Sequence, residues 1–235
     1  MKKNYIHVCF VIDKSGSMSG SEKDVIGGFK TVIDEQKANT NGTCSVSYYK
    51  FDDNVEKMFI GKDINEVEYL TDKDYKPGGC TALFDGVGTA IDEIGAWLDS
   101  MKEEDKPEKN IIVIMTDGGE NSSKEYNSTK VKEMIKHQED KYNWTFIYMG
   151  SDLKDAADAN TLGVKTRLFA KKCDYASNYT AINSILSTYR NFEGSAAEKN
   201  LAAMTTATTI CEAATAKYAA DNGLDANDLL DNSKN

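Results

Sequence analysis

Histidine and proline are scarce in this sequence of 235 residues, which contains two of each. His7 lies within an apolar run and His137 within a helical pattern, and neither accompanies a plausible nucleophile elbow. A serine hydrolase needs a histidine beside its nucleophile as a base. We therefore expect both histidines to be structural and expect no serine-hydrolase activity.

Cysteine is present but forms no recognisable pattern. The residues are odd in number and widely spaced, without a C-x-x-C pair: Cys9, Cys44, Cys80, Cys173 and Cys211. This excludes an evident disulfide framework and an evident zinc site, and it predicts a reducing, cytoplasmic location. Cys80 has no identifiable base nearby, so we interpret it as a small packing residue and not as a reactive thiol.

Long apolar runs and excess positive charge are also missing. No stretch approaches the roughly twenty apolar residues that cross a bilayer. The apolar run at residues 5–12 ends at Asp13 without a small-residue cleavage site, which predicts a first strand instead of a signal peptide. With 28 Lys and Arg against 38 Asp and Glu, the formal charge is −10, which argues against nucleic acid or an anionic membrane as the main partner.

Three polar motifs follow buried-strand or turn patterns. Asp13, Ser15 and Ser17 come directly after the first apolar run. Thr81 follows the glycine pair at 78–79 and opens a helical pattern, and Asp117 follows the β-branched run at 111–114. Carboxylate and hydroxyl oxygens are ligands for hard cations.

These motifs resemble the three elements of the metal-ion-dependent adhesion site in von Willebrand factor type A (vWA) domains, in the family's order and over about residues 5–190. The resemblance is to a bacterial or phage-like intracellular type. It implies that hydroxyl oxygens of Ser15, Ser17 and Thr81 bind Mg²⁺ or Mn²⁺, with Ca²⁺ less favoured, and that Asp13 and Asp117 bind directly or through water. It also implies that a partner protein's Asp or Glu completes the coordination. Because all three motifs are present, we expect the site to be intact, and because no candidate nucleophile and base accompany it, we expect that the chain is not an enzyme.

The remaining sequence alternates strand and helix patterns. Such alternation predicts an α/β fold with a doubly wound, mostly parallel sheet and helices on both faces. The turn at residues 52–54 predicts an antiparallel edge hairpin, in which Asp52 and Asp53 serve the turn and not a metal. Strands are predicted at 5–12, 44–51, 55–60, 111–115, 144–149 and 164–170, and helices at 18–39, 81–98, 128–138, 153–160 and 176–193.

The composition changes after about residue 174. Residues 196–220 form an Ala- and Thr-rich helical segment without glycine or proline, and residues 221–235 are polar. We predict a vWA domain over residues 1–193, followed by a helical extension and polar tail over 194–235. The extension packs on the domain in our preferred interpretation, and the alternative is a partner-binding arm.

Two other functional classes stay open at this point. Acidic strand ends can hold Mg²⁺ for phosphoryl transfer, although the sequence has no P-loop and no Asp two residues after Asp13. A structural subunit with a vestigial metal site is the third class. The partner, the pathway and the oligomeric state are not encoded in a readable motif.

Overall fold

The fold is built on one six-stranded sheet with the strand order β3-β2-β1-β4-β5-β6. The computed structural model describes residues 1–150, 153–169 and 175–223. The strands are β1 (Lys2–Asp13), β2 (Thr43–Phe51), β3 (Val55–Asp63), β4 (Pro107–Met115), β5 (Thr145–Gly150) and β6 (Thr166–Phe169). The helices are α1 (Glu22–Ala38), α2 (Leu83–Asp99), α3 (Ser128–Tyr142), α4 (Leu153–Leu162), α5 (Ala176–Asn191) and α6 (Ala196–Asn222).

All neighbouring strands pair in parallel except β2 and β3, which form an antiparallel hairpin at the sheet edge. The predicted fold class is therefore confirmed, including the single antiparallel edge strand. Because parallel strands end at the same side of a sheet, Asp13 at the end of β1 lies beside the end of β4. The motifs that are far apart in sequence meet at this edge.

Hydrophobic clusters cover both faces of the sheet. Successive residues of β4 alternate between them, with Ile111 and Val113 facing α1 and α5, and Ile112 and Ile114 facing α2 and α3. A strand buried on both faces reads as an unbroken apolar run, as the sequence predicted. The five positions predicted to be buried on α2 are all buried: Leu83, Val87, Ile91, Ile94 and Leu98.

The boundaries differ from the sequence expectations where tertiary pairing overrides local patterns. A short 3₁₀ turn, Ile64–Glu66, follows β3. β4 begins at Pro107 instead of at residue 111, because Pro107 pairs with Lys2 beyond a register shift in β1. The first turn after Asp13 is also 3₁₀, Gly16–Met18, and α1 begins at Glu22 instead of at Met18.

The last helix, α6, contacts α5 and β6. It begins at a capping box in which Ser195 and Glu198 exchange hydrogen bonds, and its buried residues include Lys199 and Ala203. The packed arrangement is therefore the one in the structure, while a domain boundary at 193/194 stays a prediction. Residues 224–235 of the predicted polar tail lie outside the described residues. In the described ranges, no helix has both the length and the apolar character to cross a membrane.

Candidate metal centre

Asp13 is fully buried at the carboxyl end of β1 and is held by three neighbours. Its Oδ1 accepts a hydrogen bond from Ser15 N at 2.6 Å, and its Oδ2 accepts one from Thr116 Oγ1 at 2.6 Å. Its backbone carbonyl accepts a hydrogen bond from the buried Tyr75 hydroxyl at 2.6 Å. The orientation of this carboxylate is therefore fixed from both strands that meet at the edge.

Three hydroxyl groups converge beside Asp13, around Gly118. A Cβ atom on Gly118 would lie 2.8 Å from Ser17 Oγ, 3.1 Å from Thr81 Oγ1 and 3.7 Å from Ser15 Oγ. Ser15 Oγ and Ser17 Oγ are themselves 3.0 Å apart. Glycine at position 118 thus leaves open a space lined by hydroxyl oxygens from two loops; we call this space the hydroxyl cradle.

The electrostatics of the site favour a cation. Burial raises the pKa of Asp13 to about 6; hydrogen bonds from Thr116 and Ser15 lower it in part, and the negative charge of Asp117 raises it further. Two carboxylates close enough to repel each other carry an unfavourable interaction that a cation between them would relieve. The structure therefore brings together all five residues that the sequence singled out: Asp13, Ser15, Ser17, Thr81 and Asp117.

The loop after β4 is attached to the start of α2 by two carboxylates, Asp85 and Glu120. Asp85 accepts hydrogen bonds from the backbone N–H groups of residues 124–126 at 2.8 to 3.0 Å. Glu120 accepts from Phe84 N at 3.0 Å and from Ser123 Oγ at 2.6 Å. These carboxylates therefore act as acceptors that join the loop to the first turn of α2.

Thr81 is also bound directly to this loop. Its N–H donates to Asn121 Oδ1 at 2.9 Å, and its carbonyl accepts from Asn121 N at 3.0 Å. The loop that carries Asp117 and the loop that carries Thr81 therefore form one connected unit. These hydrogen bonds fix the position of one loop relative to the other.

The β2–β3 turn supports the cradle from the other side. Lys14 forms ion pairs with Asp52 and with Glu56, the latter at 3.2 Å, and its side chain is only 11% exposed. Asp53 Oδ2 accepts a hydrogen bond from Cys80 N at 3.1 Å. Both aspartates therefore make contacts that hold the loops, and the absence of a metal role for them stays a prediction. The Lys14 ammonium group is thus directed towards the β2–β3 turn by two carboxylates.

The donor set fits a hard ion that keeps bound water. Among the described residues, no three or more His, Cys, Asp or Glu side chains are grouped so as to hold a metal ion. Zinc sites use such groups, and calcium sites use several carboxylates. A site of two carboxylates and three neutral hydroxyls matches Mg²⁺ or Mn²⁺, which are bound by few protein carboxylates together with water.

Sequence reasoning missed two residues of the site and misjudged a third. Thr116 and Tyr75 hold Asp13, but their hydrogen bonds span 103 and 62 residues of sequence and leave no local pattern. Cys80 was expected to pack internally, and this was wrong, because its side chain is exposed. The adjoining Gly79 has a φ of +76°, and its carbonyl accepts a hydrogen bond from Gly16 N, so the loop turns the thiol outward.

Comparison with known proteins agrees with this architecture. The model of the von Willebrand factor type A domain matches residues 7–191. No curated protein sequence matches the chain.

Two solved structures illustrate the similarity of fold. The vWF domain of the type V pili tip protein Mfa5 from Porphyromonas gingivalis superposes with a TM-score of 0.58 at 11% identity, covering 83% of this chain and 99% of that one. Proximal thread matrix protein 1 from the mussel byssus has a TM-score of 0.54 at 17% identity, covering 79% of this chain but only 47% of its own. This chain therefore spans about half the length of the mussel protein. At these identities the likeness shows the fold alone.

Proposed function

Because the chain belongs to the von Willebrand factor type A domain family, we propose that it is a protein-binding module that captures a partner's carboxylate through Mg²⁺ or Mn²⁺ at the hydroxyl cradle. Ser15, Ser17 and Thr81 bind the ion through their hydroxyl oxygens. Asp13 and Asp117 balance its charge, directly or through water. The bound ion supplies a Lewis-acidic position that a partner's Asp or Glu completes.

The observation that carries this proposal is the convergence of three hydroxyl oxygens on the space that Gly118 leaves open. A Cβ atom at that point would lie within 3.7 Å of all three oxygens, so a small cation placed there can bind them together. Ser17 is exposed, whereas Ser15 and Thr81 are buried. The cradle is therefore open on one side, where a partner can approach.

The chain's own residues keep the site ready for this ligand. Hydrogen bonds from Thr116 and Ser15 hold Asp13, and the Asn121 contacts hold Thr81. Neutral hydroxyl ligands donate less charge to a cation than carboxylates do. A partner carboxylate is thus attracted despite the overall charge of −10.

We further propose that the protein has no turnover of its own and acts in a reducing, cytoplasmic location. Of the described cysteines, Cys9, Cys44 and Cys80 are free thiols, which supports the location. His7 is buried in β1, and its ring nitrogens contact the hydroxyl groups of Ser45 and Ser47, which are buried with it and out of reach of a substrate. His137 is exposed on α3. Hydrolysis of p-nitrophenyl phosphate by the pure protein with Mg²⁺ would favour the phosphoryl-transfer alternative.

Metal binding is tested by titrating Mn²⁺ into the protein in a calorimeter. We expect saturable binding by the wild type and at least tenfold weaker binding by Ser17→Ala. Ser19→Ala is the matched control, because Ser19 is an exposed serine two residues away that does not line the cradle. Equal Mn²⁺ affinity in both variants would contradict the assignment of the site.

Partner capture is tested with the immobilised protein and a cell extract, in Mg²⁺ and in chelator. We expect a protein that is retained in Mg²⁺ and released by chelator, and that Ser17→Ala does not retain while Ser19→Ala does. If the partner is retained equally in chelator and by the Ser17→Ala variant, the result would instead favour a structural subunit with a vestigial metal site.

A further inference from the structure

The connection between β3 and α2 passes along the rim of the hydroxyl cradle. Gly78 N donates a hydrogen bond to the carbonyl of Lys14 at 2.8 Å, and the carbonyl of Gly79 accepts one from Gly16 N at 3.0 Å. These bonds attach the connection to the loop that carries the two cradle serines. A side chain that projects outward from this part of the connection therefore lies beside the open side of the cradle.

Lys76 is such a side chain. Tyr75, the residue before it, is buried, and its hydroxyl donates to the Asp13 carbonyl at 2.6 Å. Pro77 restricts the residue that precedes it to an extended conformation, in which neighbouring side chains point to opposite sides. Because Tyr75 points inward, Lys76 points outward, and it is exposed. It lies two residues before Gly78, a chain length of at most about 7 Å.

Lys76 has no counter-charge in the described part of the chain. Neither a hydrogen bond nor an ion pair joins its side chain to another described residue. Two of the carboxylates at the turn end of the neighbouring β2–β3 hairpin, Asp52 and Glu56, form ion pairs with Lys14. A third, Asp53, accepts a hydrogen bond from a backbone N–H. The ammonium group of Lys76 is therefore a positive charge that an acidic group from outside can pair with, in a protein whose formal charge is −10.

From these observations we infer that Lys76 selects among partners by pairing with a second acidic side chain close to the carboxylate that the ion captures. This inference rests on the proposed function, because the ion holds the first carboxylate. The favoured partner is an acidic segment with two carboxylates, one for the ion and one for Lys76. An exposed ion pair changes affinity by a factor of about two to five, so Lys76 contributes to selectivity more than to capture itself.

Short peptides test this inference without the natural partner. Each peptide carries an Asp and, one, two or three positions later, a Glu, with glycine between them, and each has a counterpart with Gln in place of Glu. Binding is followed by the water-proton relaxation of protein-bound Mn²⁺, which changes when a carboxylate displaces a bound water. At about 20 mM NaCl we expect at least one Glu peptide to bind about two- to fivefold more tightly than its Gln counterpart. This difference should shrink at about 0.5 M NaCl, because salt screens an exposed ion pair.

Three variants test the role of Lys76. Lys76→Gln removes the charge and is expected to bind the Glu and Gln peptides equally. Lys76→Glu reverses the charge and is expected to prefer a peptide with Lys in place of Glu, a change that a merely structural role would not produce. Lys102→Gln is the matched control and should keep the wild-type preference. Lys102 is exposed beyond the carboxyl-terminal end of α2, whereas the cradle adjoins the amino-terminal end of that helix.

The possible outcomes separate this inference from the proposed function. If Mn²⁺ does not bind, or if no peptide displaces its water, the proposed function fails and the inference fails with it. If peptides displace the water but the wild type binds the Glu and Gln peptides equally, the inference alone is overturned. The same holds if Lys76→Gln keeps the wild-type preference.

Discussion

Thr116 Oγ1 donates a hydrogen bond of 2.6 Å to Asp13 Oδ2, joining the ends of β4 and β1 across 103 residues of sequence. Both side chains are fully buried. A hydrogen bond to a buried carboxylate is stronger than one between neutral groups, because little solvent competes for the charge. This contact therefore contributes to both the stability of the sheet edge and the position of the carboxylate.

Replacing Thr116 by valine is expected to destabilise the protein by about 1–3 kcal/mol, because the buried Asp13 carboxylate loses a donor without a change of side-chain shape. Urea unfolding in chelator measures this free energy. Thr116→Ser keeps the hydroxyl group and is expected to keep most of the wild-type free energy of unfolding. A valine variant as stable as the wild type would show that the hydrogen bond contributes nothing net.

Gly118→Ala is expected to abolish stabilisation by Mn²⁺ without removing any ligand. The new Cβ would lie 2.8 Å from Ser17 Oγ and would occupy the hydroxyl cradle. The position has no left-handed backbone conformation, so alanine causes no backbone strain of that kind. The measurement is the thermal unfolding midpoint with and without Mn²⁺, since an ion that binds only the folded state raises it.

Gly27→Ala is the matched control for this experiment. A Cβ on Gly27 meets nothing within 4 Å, and the residue lies inside α1 on its exposed side. Alanine should stabilise this helix by about 0.5–1 kcal/mol through its helix propensity and leave the response to Mn²⁺ intact. A full Mn²⁺ response in Gly118→Ala would mean that the ion binds somewhere other than the cradle.

The fold was predictable because its signals are local. The unbroken β-branched run at 111–114 predicts a strand buried on both faces, and the apolar spacing from Leu83 to Leu98 predicts the buried side of α2. The three polar motifs at the strand ends likewise predicted which residues meet. Each of these inferences needs only a short window of sequence.

The contacts that hold the site were not predictable, because they join residues that are far apart in the sequence. Thr116 and Asp53 act on partners distant in sequence, and nothing around them distinguishes them from ordinary loop residues. The packing of α6 was the preferred sequence-based interpretation, but its polar contacts through Lys199 and Asn200 were not predicted. A hydrophobic pattern cannot reveal an interface of this kind.

Lowering the pH is expected to destabilise the protein through His7. Burial lowers the pKa of His7 to about 3, partly offset by hydrogen bonding to Ser45, so the folded state holds it neutral. The unfolded chain binds a proton near pH 6.5, and stability is therefore lost as the pH falls from about 6.5 towards 3. At pH 5, the unfavourable protonation of His7 lowers the free energy of unfolding by about 2 kcal/mol relative to neutral pH.

The Asp13 carboxyl group changes the pH dependence of stability in the opposite direction. Its pKa of about 6 in the folded state exceeds its ordinary value of 3.8, so the folded state binds the extra proton and gains stability as the pH falls from about 6 to 4. The gain at pH 5 is about 1 kcal/mol, which offsets part of the His7 loss. Unfolding free energies of the wild type and of Asp13→Asn at pH 7 and 5 separate the two groups. The variant should lose more stability than the wild type on acidification, and an equal loss would contradict the assignment to Asp13.

The attachment of α6 yields the last prediction. Lys199 is 2% exposed and donates hydrogen bonds to Glu108 Oε2 at 2.9 Å and to Asn4 Oδ1. Asn200 Oδ1 accepts from the buried Lys109 at 3.0 Å and from the Tyr189 hydroxyl at 2.7 Å. Removing α6 would therefore leave a buried ammonium group and a largely buried carboxylate short of partners.

A chain ending at residue 193 is accordingly expected to be strongly destabilised. Lys199→Met is expected to lower the free energy of unfolding by about 2–4 kcal/mol, because the carboxylate of Glu108 loses its counter-charge while the side-chain volume is kept. Lys217→Met on the exposed side of the same helix is the matched control and should change the unfolding free energy by less than about 0.5 kcal/mol. Urea unfolding in chelator compares all three with the full chain. If residues 1–193 unfold at the same urea midpoint as the full chain, α6 is an independent appendage and the predicted boundary at 193/194 is correct. If the urea midpoint falls as expected, α6 is part of the domain, because the polar contacts of Lys199 and Asn200 join this helix to the sheet and to α5.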